Sequence, residues 1–269
     1  MTVATQYNCD QLIEEFKING FIVLEDFISD DKLDRIYEAW IPIRDREIER
    51  QGDDPNRGPN RYAVIIPLER PFVDPDIFEH PTLVKLFENV LGEDYICQNF
   101  NSNVPFPGSV YQKWHRDVEL IFPGLMTPTI SVAIRIPLVD TTEENGSIEV
   151  LPSSHYIADE EVCYKEIDGR KGKWFDQVLG EGPNRVGRYY PIRLNVKRGT
   201  IWLYDPRLFH RGTPNVSDHP RDELSIGFSR PWFTSKKMHG NTDNDIPRDL
   251  WDSLSDHARQ VMRLKNVIS

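Results

Sequence analysis

The chain has 269 residues, 39% of them hydrophobic, which suffices to bury a large core in a single domain. A net charge of −11 argues against nucleic-acid partners, because no basic stripe is available to neutralise phosphates. Three widely separated cysteines suit a reducing compartment, and no segment reaches the length and apolarity of a membrane span. The N-terminus lacks a basic region followed by an apolar run. We therefore expect a cytoplasmic protein, monomeric or homodimeric, with a small-molecule substrate and no membrane partner.

The first third of the chain has helical periodicity. Residues 10–17 predict a helix that Gly20 closes, and the apolar run 21–24 predicts a strand. Ser29 is typical of an N-cap for a second helix, and Pro81 of the start of a third that ends at Gly92. The charged run 44–50 is most often a solvated face, 52–60 is a predicted loop, and 62–68 is a further apolar passage.

After residue 92 the pattern changes to short segments rich in β-branched and aromatic residues, which predict strands. These predicted strands span residues 95–100, 109–114, 129–139, 148–151, 190–195, 200–204 and 224–232. Helices followed by many strands, without βαβ alternation, favour a mainly β fold with flanking α-helices around a double-stranded β-helix, the jelly roll of cupin-like proteins.

One domain over residues 1–269 is therefore expected. Residues 1–92 would form a largely helical cover, 93–235 the jelly-roll core and 236–269 a C-terminal segment. The stretch 156–189 interrupts the strands, and it is either a lid or substrate wall or a solvated insertion. Its basic cluster at 170–173 would either meet an anionic substrate or face water.

Two short stretches, 111–117 and 204–215, carry the chemistry. On an extended strand His115 and Asp117 point to the same side, so an imidazole and a carboxylate are presented together. A lone His-x-Asp is common by chance, but His210 would supply a third ligand if the two segments lie side by side. Two histidines and one carboxylate on one face of a cation are typical of non-heme Fe(II) oxygenases. Arg221 follows His210 after a turn and could grip a carboxylate with two parallel hydrogen bonds.

These residues resemble the phytanoyl-CoA dioxygenase (PhyH) family of Fe(II)- and 2-oxoglutarate-dependent oxygenases. The resemblance covers most of the chain. It depends on Trp114-His115-Arg116-Asp117, on the stretch from Glu144 to His155, and on Asp205-x-Arg207-x-x-His210-x-Gly212-x-x-Asn215 with Arg221. One departure is Gly212, where several members carry serine.

The resemblance implies that His115, Asp117 and His210 bind Fe(II), with 2-oxoglutarate and O2 as co-substrates. Arg221 would bind the far carboxylate of 2-oxoglutarate, and Gln112 the near one, although on a regular strand Gln112 would face away from the metal. Thr213 would replace the missing serine hydroxyl. The expected reaction is oxidation, most often hydroxylation, of a small metabolite, with succinate and CO2 as co-products. Family base rate favours natural-product biosynthesis.

Two other interpretations stay open. The first is a cupin-like, metal-free binding or scaffold protein without catalysis, against which the intact ligand set argues. The second is a metal enzyme independent of 2-oxoglutarate, and Arg221 distinguishes it from a 2-oxoglutarate-dependent one, because only a dicarboxylate co-substrate requires this arginine. Supporting roles are also predicted. Trp114 would pack away from the metal, Glu223 and Ser225 would orient Arg221, Asp205 and Arg207 would form a structural pair, and His155 would stabilise a turn. Aromatic candidates for the pocket or the core are Phe100, Phe106, Tyr111, Phe122 and Trp232.

Overall fold

The computed structural model describes residues 7–52, 55–118, 120–122, 124–157, 190–233 and 245–269. Most of the expected insertion at 156–189, including the basic cluster 170–173 and Cys163, lies outside the described residues. The other predicted elements can be compared with the structure directly.

Helices cover the first third of the chain, as the periodicity predicts. They are α1 (Cys9–Asn19), α2 (Asp30–Gln51), α3 (Pro75–Phe78) and α4 (Pro81–Leu91), with strand β1 (Phe21–Leu24) between the first two. Gly20 ends α1 in the left-handed region at φ 80°, and its N–H donates to the carbonyl of Phe16. A side chain at this position would also collide with the ring of His155, so both the conformation and the space require glycine.

Helix α2 is longer than predicted. It continues past Pro42 and includes the charged run 44–50. Ser29 occupies the N-cap position, but its side chain makes no capping hydrogen bond, and its backbone carbonyl accepts from Lys32 and Leu33 instead. Trp40 and Arg44 on this helix are buried and both donate to the carboxylate of Asp222. The charged second half therefore anchors the helix to the rest of the fold.

Short strands follow in most of the predicted places. They are β2 (Arg61–Tyr62), β3 (Ile96–Ser102), β4 (Val104–Pro105), β5 (Ser131–Pro137), β6 (Glu149–Val150), β7 (Ile192–Arg193), β8 (Ile201–Tyr204), β9 (His210–Arg211) and β10 (Glu223–Ser229). An antiparallel five-stranded sheet has the order β1-β8-β5-β10-β3, a three-stranded sheet the order β7-β6-β9, and β2 pairs with β4. The described part of the chain is thus sheets with flanking helices.

One predicted strand is wrong. Residues 109–114 form no strand, and this stretch joins its neighbour through Gln112, whose N–H donates to Gly212, and through one bridge between His115 and His210. The apolar passage 62–68 contributes only the end of β2 and an isolated bridge from Ile65 to Asn101. The C-terminal segment carries unpredicted elements: β11 (Asp245–Pro247), α5 (Arg248–Ser253), α6 (Asp256–Val261) and β12 (Asn266–Ile268).

The five-stranded sheet has two unlike faces. Even-numbered residues of β5 and β10, such as Ile134 and Ile226, pack into the main core with the helices. Odd-numbered residues of the same strands lie on the opposite face, because side chains alternate along a strand. Cross-strand register aligns Ser225 with Arg135, and Gly227 with Ala133. This second face lines the cavity described next.

Candidate active site

The two predicted histidines lie opposite each other. Backbone hydrogen bonds of 3.0 Å in both directions join His115 to His210, and the Asp117 N–H donates to the carbonyl of Pro206 at 2.9 Å. Ligand atoms of His115, Asp117 and His210 all lie within 4.8 Å of one another. The structure therefore brings together three side chains that the sequence separates by almost a hundred positions.

Each histidine is oriented by its other ring nitrogen. Nδ1 of His115 lies 2.7 Å from the carbonyl of Lys113, and Nδ1 of His210 lies 2.9 Å from that of Leu208. A carbonyl only accepts, so Nδ1 carries the proton, and Nε2 presents its lone pair towards Asp117. The Nε2 atoms lie 3.7 Å (His115) and 3.5 Å (His210) from the carboxylate oxygens of Asp117. In this tautomer Nε2 is the nitrogen that can coordinate a metal.

Asp117 is held as an anion. Burial would raise the pKa of its carboxyl, but the charges that His210 and His115 carry when protonated, together with the guanidinium of Arg135, hold that pKa well below its usual value. Its Oδ2 also accepts a hydrogen bond of 2.6 Å from the hydroxyl of Tyr204. The carboxylate is thus ionised at neutral pH and ready to coordinate a cation.

A cavity of about 350 Å³ opens beside these three residues. Much of its wall comes from this second face of the five-stranded sheet, including Asn99, Asn101, Arg135, Tyr204, Ser225 and Gly227. Such a volume lies at the lower end of the range for small-molecule sites. The wall is mainly polar, which suits charged or hydrogen-bonding ligands.

A chain of alternating charges runs away from the cavity. Arg135 lies 3.8 Å from Asp117 and 3.5 Å from Oε1 of Glu223, whose Oε2 accepts a 3.0 Å hydrogen bond from Arg221. Arg221 is fully buried, and its Nε and Nη2 have no hydrogen-bond partner among the described residues. Arg221 is not among the residues that line the cavity, whereas Ser225 and Arg135 are. The hydrogen bond between Glu223 and Arg221 is the contact that the sequence predicts.

A third buried guanidinium belongs to Arg61. Its Nη2 donates to the carbonyl of Thr213 at 2.9 Å, and its Nη1 has no partner in the part of the chain that is described. Burial, and then the nearby charge of Arg221, lowers the pKa of Arg61 to about 9. Arg61 still carries its charge at neutral pH.

Gly212 is explained by its neighbours. A Cβ at this position would lie 2.6 Å from Oε1 of Gln112 and 2.7 Å from Cζ of Arg61. Gln112 lines the cavity, accepts from the Gly212 N–H at 3.0 Å and donates to the carbonyl of Arg57 at 3.4 Å. The serine that several family members carry at this position would require Gln112 or Arg61 to move, because the ends of these two side chains occupy the space.

Thr213 is engaged elsewhere. Its hydroxyl donates to the carbonyl of Ser147 at 2.7 Å and accepts from Arg193 at 2.8 Å. Thr213 is not one of the cavity-lining residues. Its hydroxyl therefore links the segments around Ser147 and Arg193.

Several supporting residues lie where the sequence predicts. Asp205 and Arg207 form a buried pair with two hydrogen bonds of 2.9 and 2.6 Å. Trp114 is buried away from the metal ligands, with the guanidinium of Arg211 4.7 Å above its ring. His155 lies 3.0 Å from the carbonyl of Lys17, so it ties the 151–157 turn to α1.

The aromatic candidates do not form the cavity. Phe100 is buried in the main core, and Phe106 packs against it. Tyr111 contacts Arg193, whereas Phe122 and Trp232 are 54% and 62% exposed, so the core interpretation is wrong for these last two. The sequence reasoning also missed Arg135, Tyr204 and Asn99. For Arg135 a signal existed, since a charged residue in the centre of the apolar strand Ser131–Pro137 needs a specific reason.

Comparison with known proteins gives consistent matches. The profile of the family described as phytanoyl-CoA dioxygenase (PhyH) matches residues 16–222. The chain is similar to the dioxygenase af480 of Aspergillus fumigatus, with 23% identity over 97% of this chain and 78% of that protein.

Solved structures give a similar result. EvdMO1 has a TM-score of 0.59 and 23% identity, and the match covers 83% of this chain but only 50% of EvdMO1. The epimerase SnoN, solved with Fe3+, alpha-ketoglutarate and nogalamycin RO, has a TM-score of 0.57 at 17% identity, covering 82% of this chain and 83% of SnoN. At these identities the likeness shows a shared fold. Among the described residues, every helix is too short or too polar to cross a bilayer.

Proposed function

We propose that this chain, which belongs to the phytanoyl-CoA dioxygenase (PhyH) family, is an Fe(II)- and 2-oxoglutarate-dependent dioxygenase that oxidises a small-molecule metabolite. The match over residues 16–222 confirms the family resemblance that the motifs predict. The observation that carries the proposal is the cluster of His115, Asp117 and His210, whose ligand atoms lie within 4.8 Å beside a polar cavity.

The donor set suits iron. Two imidazole nitrogens and one carboxylate oxygen form the facial set of non-heme Fe(II) oxygenases, which leaves coordination positions for other ligands. His115, Asp117 and His210 would hold the metal, and the Nδ1 hydrogen bonds to Lys113 and Leu208 fix the ring orientations. Iron with 2-oxoglutarate and O2 supplies the oxidising power, while the protein binds, orients and shields the reactants.

The charges suit a dianionic co-substrate. Three buried guanidiniums (Arg61, Arg135, Arg221) face two carboxylates (Asp117, Glu223), so the cluster has one excess positive charge before any metal binds. Nε of Arg135, Nη1 of Arg61, and Nε and Nη2 of Arg221 lack partners among the described residues. Buried donors without acceptors are costly, and a carboxylate ligand would satisfy them. Gln112 lies beside His115 and is the proposed contact for the near carboxylate.

Hydroxylation is the proposed outcome, because Asp117 supplies a third protein ligand. We further propose that the five- and three-stranded sheets are the two halves of a double-stranded β-helix, within one domain over residues 1–269. The shared fold with SnoN, whose structure was solved with nogalamycin RO, supports a role in natural-product biosynthesis. A cytoplasmic location and a monomeric or homodimeric state stay predictions.

The test is metal-dependent binding and turnover of 2-oxoglutarate. Protein loaded with Fe(II) without oxygen is expected to develop a charge-transfer absorption when 2-oxoglutarate is added, and to release succinate once oxygen and ascorbate are supplied. His210→Ala should abolish both signals. His219→Ala, which alters an exposed histidine paired only with its neighbour Asp218, is the matched control and should retain them.

Other outcomes separate the alternatives. Metal binding without any response to 2-oxoglutarate would favour a metal protein that does not use this co-substrate. Failure to bind a divalent metal at all would favour a non-catalytic member of the fold.

A further inference from the structure

A second cavity, also of about 350 Å³, adjoins the first. Arg57, Gln112 and His115 line both, so the two cavities meet at a metal ligand. The charged residues that line the second cavity are Arg57, Arg61 and Lys113, and none of its described lining residues is acidic. The second cavity is therefore positively charged and lies next to the site of oxidation.

This basic lining contrasts with the rest of the protein, whose net charge is −11. Several exposed cations elsewhere are paired with a carboxylate, as Lys85 is with Asp10. Arg57 and Lys113 are exposed as well, yet neither forms an ion pair with a described residue. Both side chains can therefore bind an anion without first leaving another partner.

We propose that the second cavity binds an anionic group of the prime substrate, a carboxylate or a phosphate, between Arg57 and Lys113. The rest of the substrate would then extend past His115 to the metal. This inference depends on the proposed function and names the class of substrate that the enzyme oxidises. It leaves Arg221 as the ligand that the family resemblance implies for the far carboxylate of 2-oxoglutarate.

The charge of the loaded site favours such a substrate. Fe(II) and the 2-oxoglutarate dianion cancel each other, so the three buried guanidiniums still exceed the carboxylates of Asp117 and Glu223 by one charge. Arg61 is the buried guanidinium that borders the second cavity, and its Nη1 has no partner among the described residues. A buried charge without a counter-charge is costly, and an anionic substrate would supply one.

The backbone holds both exposed cations close to the metal ligands. The N–H of Arg57 donates to the carbonyl of Arg61 at 3.2 Å, and the carbonyl of Arg57 accepts from Nε2 of Gln112 at 3.4 Å. The carbonyl of Lys113 lies 2.7 Å from Nδ1 of His115. The two side chains are thus attached to anchored backbone, which limits the loss of freedom when they close on a ligand.

The ligand chemistry is an anionic oxygen group, and 2-oxoglutarate carries such groups too. A site for the prime substrate must accept an anion while 2-oxoglutarate is bound, whereas a part of the co-substrate site must not. Inorganic phosphate is the probe, because it presents the anionic group alone and is visible by phosphorus NMR.

The experiment measures the phosphorus relaxation rate of phosphate added to protein that is loaded with paramagnetic Mn(II) and saturated with 2-oxoglutarate. Phosphate in the second cavity lies near the metal, so the wild type should show a saturable increase in this rate. Arg57→Gln combined with Lys113→Gln should raise the Kd for phosphate about tenfold or more, because charge-assisted hydrogen bonds are lost. Arg57→Lys keeps the charge and should bind phosphate almost as the wild type does.

The matched control is Arg46→Gln combined with Lys197→Gln. It removes the same number of positive charges from exposed side chains, and neither residue lines either cavity. Phosphate binding should be unchanged in this control. The melting temperature and the Kd for 2-oxoglutarate are recorded for every variant, and the single variants Arg57→Gln and Lys113→Gln provide the test if the double variant is unstable.

Four results would overturn the assignment. One is phosphate binding that the double variant leaves unchanged, which would indicate contact with the metal or an adventitious ion only. Another is displacement of phosphate by added 2-oxoglutarate, which would make the cavity a part of the co-substrate site. The third is a wild type without any increase in relaxation rate. The last is turnover of a prime substrate that has no anionic group.

Failure of the proposed function is recognised separately. A wild type that binds phosphate as expected, but gives no charge-transfer absorption with Fe(II) and 2-oxoglutarate, would contradict the proposed function and not the presence of an anion site.

Discussion

The hydroxyl of Tyr204 donates a hydrogen bond of 2.6 Å to Oδ2 of Asp117, and Arg135 donates to the same hydroxyl at 2.7 Å. Tyr204 therefore orients the carboxylate from the strand next to β5. A carboxylate held in this way loses little rotational freedom when a metal arrives, and partners of metal ligands commonly strengthen binding by this means.

Removal of the Tyr204 hydroxyl should weaken metal binding. We expect Tyr204→Phe to reduce Fe(II) or Co(II) affinity by about ten- to hundredfold, because Asp117 loses its fixed orientation. Isothermal titration with Co(II) measures this directly. Tyr95→Phe is the matched control, because it also removes a buried tyrosine hydroxyl, one that lies 3.0 Å from His257 in a different part of the structure. Equal affinities for the Tyr204 variant and the wild type would contradict the orienting role.

Introduction of the serine found in several family members should harm this chain. Gly212→Ser places a Cβ 2.7 Å from Cζ of Arg61 and 2.6 Å from Gln112, so one of these side chains must move. We expect weaker 2-oxoglutarate binding, measured by anaerobic titration, or a lower melting temperature. The double variant Gly212→Ser with Arg61→Ala removes the contact with Arg61 but not the one with Gln112, so it should recover only part of the stability that the single variant loses. A single variant that behaves like the wild type would show that the site is more adaptable than the distances indicate.

Stability should fall in mild acid because of His155. Burial lowers the pKa of this imidazole and outweighs Asp205 and the Lys17 carbonyl, which raise it, and Arg207 and Arg116 lower it a little further. The unfolded chain takes up this proton near the ordinary pKa of about 6.5, whereas the folded chain does so only at lower pH. Between those values the unfolded state binds more protons, so the free energy of unfolding decreases as pH falls. Urea unfolding at about pH 7.5 and about pH 5.5 measures the slope, and His155→Gln should reduce it.

The buried pair of Asp205 and Arg207 should be essential for stability. Asp205→Asn leaves an uncompensated guanidinium in a site where both residues are at most 2% exposed, and breaking such a pair costs about 3–5 kcal/mol. Chemical denaturation measures the loss. Glu47→Gln, which alters a pair with the exposed Arg50, should leave the unfolding midpoint almost unchanged. Similar small effects of both variants would show that solvent reaches the Asp205 site.

Local sequence patterns were sufficient for the helices of the first third and for bringing His115 and Asp117 together. Gly20 and Pro81 mark helix ends through backbone conformation alone, which is a local property. His115 and Asp117 are two residues apart, and their common face follows from strand alternation. The sequence predicted that His210 joins His115 and Asp117 only if the two segments lie side by side. Whether they do depends on the pairing of two distant parts of the chain.

The remainder of the site depends on tertiary contacts that no local pattern records. Arg61 approaches Gly212 across about 150 positions of sequence, so the reason for the glycine is visible only in the fold. Residues 109–114 have the pattern of a strand because they include Val110, Tyr111 and Trp114, but within that stretch only Gln112 makes a backbone hydrogen bond to the neighbouring segment. Exposed Phe122 and Trp232 show the converse, since hydrophobic character alone does not assign a residue to the interior.

Arg135 lies between Asp117 and Glu223, and this position links the binding of iron to the binding of an anion. In the iron-free protein the guanidinium of Arg135 balances the charge of Asp117. Once iron binds, the cation balances that charge instead, and the guanidinium can interact with an incoming dianion. Occupancy by either partner should therefore raise the affinity for the other by the same factor. The expected result is that 2-oxoglutarate binds more weakly to the iron-free protein than to the iron-loaded one, and that iron binds more tightly when 2-oxoglutarate is present.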